Sequence, residues 1–343
     1  MAKYLTTDNL GTLKTLIGTG GAGVEEAPND GAWYARASQT WGRIAAPPWA
    51  TGRTWTLQQS VANYGWNSVT YGNGLFVALS LGGSVTTSPD GITWTAQQTP
   101  VTVGDQWRSV TYGNGLFVAV AYSQTGNRVM TSPDGVNWTL RQTPGDNSWY
   151  GVTYGNGLFV AVSLASIINL TPIMTSPDGI TWTLRQTATS DDNRTSVTYG
   201  NGLFVAVSGS GSDYEVMTSP DGITWTLQQS AANNDWRSVT YGNGLFVAVA
   251  SGGQAMTSPD GFTWTAQQGA ADNSWRSVTY GNGLFVAVAN SGTGNRVMTS
   301  TDGINWTAQQ SAADNSWNGV TYGNGLFVAV ASSGTGNRVM TAP

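Results

Sequence analysis

The chain has 343 residues, a formal net charge of −5 and only two lysines, Lys3 and Lys14, so it offers no basic track to neutralise a nucleic-acid backbone. It contains no cysteine and no histidine, which excludes disulfides, thiolate nucleophiles, histidine-held metals and the usual general base. With 45 glycines, 11% aromatic and 10% charged residues, it reads as an all-β protein of short strands and tight turns, needing no cofactor or metal.

In chain order, residues 1–50 form an attachment or oligomerisation segment. Residues 1–20 show no apolar leader flanked by positive charge, and nowhere do about 18 apolar residues run together, so neither a signal peptide nor membrane insertion is expected. In LTTDNLGTLKTLI at residues 5–17, Leu10, Leu13, Leu16 and Ile17 fall on one side of a short helix that Thr7 or Asp8 would cap. A small hairpin is predicted next, Trp33 to Arg36 paired with Trp41 to Ile44, and Pro47-Pro48-Trp49-Ala50 leads out of the segment. The stretch from Ala27 to Trp41 reads APxDGxxYxRxxxxW. It resembles a module near the N-termini of bacteriophage tail-fibre and virion-appendage proteins. The resemblance implies contact with other virion proteins through residues 1–50 and synthesis in the host cytoplasm for work outside the cell. Trimers are common in that family, so a homotrimer is the assembly it suggests.

From residue 51 to 343 the sequence repeats. YGNGLFVA begins at Tyr71, Tyr112, Tyr154, Tyr199, Tyr241, Tyr280 and Tyr322, seven copies about 42 residues apart, the signature of a propeller or solenoid. Each copy predicts four strands: a, ending in the Tyr; b, the apolar run Leu75-Phe76-Val77-Ala78-Leu79 and its equivalents; c, as Val85 to Ser88; and d, as Thr93 to Gln97. Strand b is apolar at every position, as a strand covered on both faces must be, whereas d alternates like a half-exposed edge. An unpaired strand at about 53–59 precedes the first copy, and the last copy stops before its own strand d. MTAP at the end plus TGRTWTLQQ at residues 51–59 aligns without a gap to MTSPDGITWTLQQ at Met217 to Gln229. The expectation is therefore a closed seven-bladed β-propeller of four-stranded blades, completed by the N-terminal strand.

The turn between c and d reads Ser88-Pro89-Asp90-Gly91-Ile92-Thr93-Trp94 and recurs at Ser132, Ser176, Ser219, Ser258 and Ser300. This resembles the Asp-box of bacterial neuraminidase repeats, S-x-D-x-G-x-T-W, with one residue fewer between Asp and Gly. Sialidases of that family need an arginine triad, a Tyr/Glu nucleophile pair and an Asp acid/base. The chain has only three glutamates, Glu25, Glu26 and Glu215, and its propeller arginines mostly recur at equivalent positions. No complete catalytic set is present, so the protein is read as a binder rather than an enzyme.

In a four-stranded meander the a–b and c–d turns share one end of the blade and the b–c and d–a loops the other. The first set is nearly invariant here; the second carries the differences between copies, the usual arrangement of a recognition surface. Candidate ligand contacts lie where the d–a loop enters strand a: Trp66, Trp107, Trp149, Trp236, Trp275 and Trp317, followed in three copies by Arg108, Arg237 and Arg276. Such rings and guanidinium groups suit sugar faces and carboxylates; the competing role for each Trp is to seal the gap between blades. The d–a aspartates, Asp105, Asp146, Asp192, Asp235, Asp272 and Asp314, read as turn caps. Copies three and four are exceptional: Tyr150 and the apolar loop with Ile167 and Ile168 adjoin Asp192, Arg194, Tyr214 and Glu215. Together these features read as a phage virion appendage binding a host-surface glycan or other receptor through the b–c/d–a face. The alternatives are a glycan-cleaving appendage using Glu215 with Asp192 or Asp213, and a purely structural virion decoration.

Overall fold

The computed structural model describes residues 54–343 other than 102–104, 124–125, 165–172, 186–192 and 210–214, together with four strands nearer the N-terminus. The chain divides into two compact units, Met1–Arg53 and Thr54–Pro343. The first unit holds strands Lys3–Thr7, Leu13–Leu16, Trp33–Ala37 and Thr40–Ile44 in one sheet, ordered second, first, third, fourth. The hairpin forms in the predicted register, Trp33 opposite Ile44 and Arg36 opposite Trp41.

The predicted helix over 5–17 does not form. Two antiparallel strands replace it, Tyr4 opposite Leu16 and Thr7 opposite Leu13, and the first also pairs in parallel with Trp33–Ala35. The leucine spacing that fits a helical face is too short to separate the two periods. β-Branched Thr6, Thr7 and Thr15 favour strand, and a neighbouring hairpin supplies hydrogen-bond partners that an isolated short helix lacks. The Pro47–Ala50 lead-in lies outside the described residues.

Among the described residues, the second unit consists of seven four-stranded antiparallel blades. Blade 1 runs Trp66–Gly72 (a), Leu75–Ser80 (b), Val85–Ser88 (c) and Thr95–Gln97 (d), and blades 2 to 6 repeat that order. Blade 7 takes a, b and c from Trp317–Gly323, Leu326–Ala331 and Val339–Ala342, and its d from Thr56–Gln58. The closing register sets Val339 opposite Gln58, Met340 opposite Leu57 and Thr341 opposite Thr56, with a 2.8 Å bond from Gln58 Nε2 to Thr341 Oγ1. Neighbouring a strands touch all the way round, blade 7 against blade 1 included.

The core lies between blades. Strand b is buried because each of its faces meets a different blade: Val77, Leu79 and Val85 of blade 1 share a cluster with Trp107, Phe117, Ala119 and Met130 of blade 2. The same pattern closes the ring, where Val328, Val330 and Val339 of blade 7 meet Trp66, Phe76 and Trp94 of blade 1.

Two features of the YGNG string explain why it hardly varies. Asn73 and Gly74 have φ of 49° and 75°, the pair of left-handed residues that a two-residue type I′ hairpin requires. Gly72 has a different duty: a Cβ there would stand 2.1 Å from Cγ of Tyr112, so the tyrosine of each blade packs directly against the glycine of the blade before it. The relation passes round the ring and returns with Gly323 against Tyr71.

In the c–d turn, Asp90 Oδ1 accepts bonds from the Ile92 and Thr93 amides, each 2.8 Å, and from the Ser88 hydroxyl at 2.9 Å. Trp94 Nε1 donates to the Gly91 carbonyl at 3.0 Å. The Thr93 and Ile92 amides hold the Asp90 carboxyl below the usual carboxylate range, and the equivalent amides do so at Asp134, Asp178, Asp221 and Asp260. At Asp302 burial pulls the other way, but bonds from Asn305 and Ile304 outweigh it. These are structural carboxylates. A depressed folded value stabilises above the unfolded carboxyl pKa of about 3.9 and the benefit is withdrawn as pH falls below it toward the folded values. The melting temperature should accordingly drop steeply between about pH 4 and pH 2, and Asp→Asn at all six positions should flatten that slope. Parallel calorimetric profiles for the two proteins would contradict this assignment.

Candidate functional site

The position of strand a's second residue is set by a defect repeated in each blade. Trp66 pairs with Ser80 and Ser68 with Leu79, so Asn67 is one extra residue on its strand; the same shift follows Trp107, Trp149, Arg194, Trp236, Trp275 and Trp317. A bulge of this kind turns its residue out of the pleat. Trp107 is thereby directed into the seam with the preceding blade, while Arg108 next to it faces the axis.

The seven bulge residues are Asn67, Arg108, Tyr150, Thr195, Arg237, Arg276 and Asn318, and all line one axial cavity of about 190 Å³. Since strand a starts at its d–a loop, the cavity lies at the loop-bearing end of the channel. Serines from the next layer, Ser68, Ser109, Ser196 and Ser277, complete its wall. Each of their hydroxyl oxygens accepts the amide of a valine in the following blade, as Ser68 does from Val110 at 3.2 Å.

Charge in this wall is one-sided: among the described residues its charged lining comprises three guanidinium groups and no carboxylate. Arg108 lies 5.1 Å from the ring centre of Tyr150 and 5.5 Å from that of Tyr122, and donates to Gln106 Oε1 at 3.2 Å. Arg237 is ion-paired with Asp235. The Arg276 guanidinium makes no hydrogen bond or ion pair among the described residues. Burial pushes its guanidinium below the usual range, the nearby Arg237 and Arg108 charges add to that, and Tyr150 and Asp235 offset only part.

The structure sorts the sequence candidates into three groups. Arg108, Tyr150, Arg237 and Arg276 converge on the axis. The six tryptophans do not present their rings to a ligand: each is at most 1% exposed and belongs to an inter-blade cluster, so sealing the seam is the role they have. Arg194 and Glu215 are likewise fully buried. Arg194 occupies the Trp position of blade 4, opposite Ser208, whose amide bonds the Glu215 carbonyl; in blade 2 the corresponding row is Trp107, Ala121 and Arg128. Blade 4 thus has Arg and Glu where blade 2 has Trp and Arg. The Glu215 carboxylate accepts the Asn234 amide at 3.1 Å and the Ser230 hydroxyl at 3.3 Å, which ties the d–a loop to strand c and leaves no solvent-facing carboxylate. Ile167, Ile168, Asp192, Tyr214 and Asp213 lie outside the described residues.

Sequence reasoning missed Asn67, Thr195 and Asn318, although a signal was present: the residue after the Trp position, which Arg194 fills in the fourth copy, reads Asn, Arg, Tyr, Thr, Arg, Arg, Asn across the copies. The d–a aspartates act partly as the sequence suggests. Asp146 and Asp314 accept amides of the b–c loop glycines Gly126 and Gly294 at 2.6 and 2.7 Å, and Asp235 holds Arg237. In blades 2, 6 and 7, Arg128, Arg296 and Arg338 also bridge from the b–c loop to d–a carbonyls, so these three loop pairs are locked together. Among the described residues no three carboxylates cluster as a metal site would need, and no helix is long and apolar enough to cross a membrane.

Residues 176–316 match the family described as DUF6242 beta propeller domain. No curated protein matches the sequence at a significant level. Solved structures share the fold at low identity. The virginiamycin B lyase from Staphylococcus aureus superposes with a TM-score of 0.73 at 11% identity, covering 85% of this chain and 99% of that one. YCF48 from Cyanidioschyzon merolae gives 0.62 at 13% identity, covering 84% and 98%. A structure of YCF48 bound to D1 peptide gives 0.64 at 14% identity, covering 84% and 94%.

Proposed function

We propose that this protein is a binding component of a bacteriophage virion appendage, attached through residues 1–50 and engaging a host-surface glycan or other receptor with the b–c/d–a face of its propeller. The attachment half rests on the resemblance of residues 27–41 to tail-fibre modules. The binding half rests on one observation: seven otherwise similar blades place bulge residues of four kinds around an axial cavity at the loop-bearing end. A scaffold kept constant by its a–b and c–d turns and varied at its loops and where side chains converge suits recognition. The shape alone does not choose between binding and catalysis, since propellers like it include a lyase and a protein solved with a peptide bound.

The reading is tested on a glycan array and on host cells with the full chain. Binding is expected to fall at least tenfold when the b–c and d–a loops of blades 3 and 4 are shortened, and host polysaccharide is expected to yield no released product. Undiminished binding after both loop sets are cut would remove the face assignment.

A further inference from the structure

We infer that the axial cavity is a binding site for a sugar acid, its carboxylate held between Arg108, Arg237 and Arg276 and its hydroxyls met by the surrounding amides and hydroxyls. The inference rests on the receptor-binding reading and names the ligand class of that same face.

The argument starts from an imbalance. The protein is acidic overall, with a net charge of −5, yet the wall of this cavity brings three guanidinium groups together without a carboxylate among its described residues. Gathering like charges in a half-buried space is unfavourable unless something of opposite sign is at hand. Asp235 pairs directly with Arg237 and offsets the charge of Arg276 only in part, and Arg108 is held by rings and a neutral amide oxygen. Among the described residues no hydrogen bond or ion pair commits the fork of donors on Arg276. Planar guanidinium groups of this kind bind carboxylates and other oxyanions through paired, charge-assisted hydrogen bonds.

Hydrogen-bond bookkeeping narrows the anion. The hydroxyl oxygens of Ser68, Ser109, Ser196 and Ser277 are occupied by valine amides, which leaves each O–H free to donate. The amide nitrogen of Asn67 donates to the Arg108 carbonyl at 2.6 Å, and that of Asn318 to the Trp66 carbonyl at 3.2 Å. Their side-chain oxygens therefore remain as acceptors. A bare inorganic anion uses donors only. A hydroxylated carboxylate uses both sets, and the Tyr150 ring offers a flat surface against which a sugar face can lie. A volume of about 190 Å³ fits one monosaccharide unit, such as the end or a single internal residue of a longer chain.

The test is calorimetric titration of the full chain with glucuronate, with glucose and inorganic sulfate as probes of the two halves of the claim. Glucuronate is expected to bind, glucose to bind at least tenfold more weakly, and Arg276→Gln to weaken glucuronate about tenfold or more, as loss of charge-assisted bonds does. Each variant is first melted to confirm folding; should Arg276→Gln not fold, Arg108→Gln carries the same comparison. Sulfate binding as tight as glucuronate overturns the sugar-acid assignment, and so does glucose binding equally or glucuronate heat that is unchanged in the arginine variants. The array separates this from the parent reading: neutral glycans bound and unaffected by Arg276→Gln leave a receptor binder without an acid site, whereas glucuronate bound without any cell or glycan attachment leaves the site without that role.

Discussion

Deletion of residues 54–59 is expected to lower the melting temperature of the propeller by at least about 10 °C and to broaden its transition. The segment is the fourth strand of blade 7, and its removal strips the outer edge from Val339–Ala342, a strand buried at every position. Trp55, 5% exposed, leaves the cluster that joins blade 7 to blade 6, and Leu57 goes with it. Loss of a buried Trp alone costs about 3–5 kcal/mol, and each kcal/mol shifts the melting of a chain this size by about 2–4 °C. The uncovered strand also presents an unpaired edge, so concentration-dependent aggregation should accompany the loss. A permuted chain that carries residues 51–59 after Pro343 should melt like the parent, because the same four strands then come from continuous sequence. Calorimetry in which the deletion melts like the parent would show that closure is not what holds the ring.

Gly200→Ala should cost about 3 kcal/mol or more, a larger effect than most single methyl additions produce. The new Cβ would stand 2.1 Å from Cγ, 2.4 Å from Cδ1 and 2.5 Å from Cβ of Tyr241 in the next blade. Those are atoms at the root of the tyrosine, fixed by backbone that pairs Tyr241 with Phe246, so the ring cannot swing clear without moving strand a. Overpacking in a rigid interior costs about 1–3 kcal/mol where side chains can yield, and more where backbone must shift. Gly65→Ala is the control: its Cβ would meet nothing nearer than 3.8 Å, and it should stay within about 0.5 kcal/mol of the parent. Denaturant unfolding of the two variants decides it, and equal stabilities would mean that the Tyr-on-Gly contact does not constrain blade spacing.

Much of this architecture was readable before any coordinates. The YGNG string names a tight turn between strands a and b, the uniformly apolar LFVA names a strand covered on both faces, and the match of MTAP plus TGRTWTLQQ to an internal repeat names the closing strand; the structure bears out all three. These features are local or repeat with a fixed period, and seven copies reinforce one another where a single copy would be ambiguous. Near the N-terminus, where nothing repeats, the leucine spacing suggested a helix and strand pairing prevailed.

The candidate site was only half legible, for a reason of geometry. Trp107 and Arg108 are adjacent in sequence and suggest one ligand-facing pair, yet a one-residue bulge sends the first into the seam between blades and the second to the axis. A bulge is a property of two strands in register, so no single stretch of sequence announces it. The burial of Arg194 and Glu215 was hidden in the same way, since their row exists only once strands a, b and c lie side by side. The sequence by itself determined the number of blades, the kind of each strand, the closure and which end of the ring carries the variation, because periodicity and turn chemistry act within one repeat. Tertiary structure alone decided which side chains meet at the axis, because that convergence depends on seven inner strands, each bulged at the same place, being drawn round a common centre.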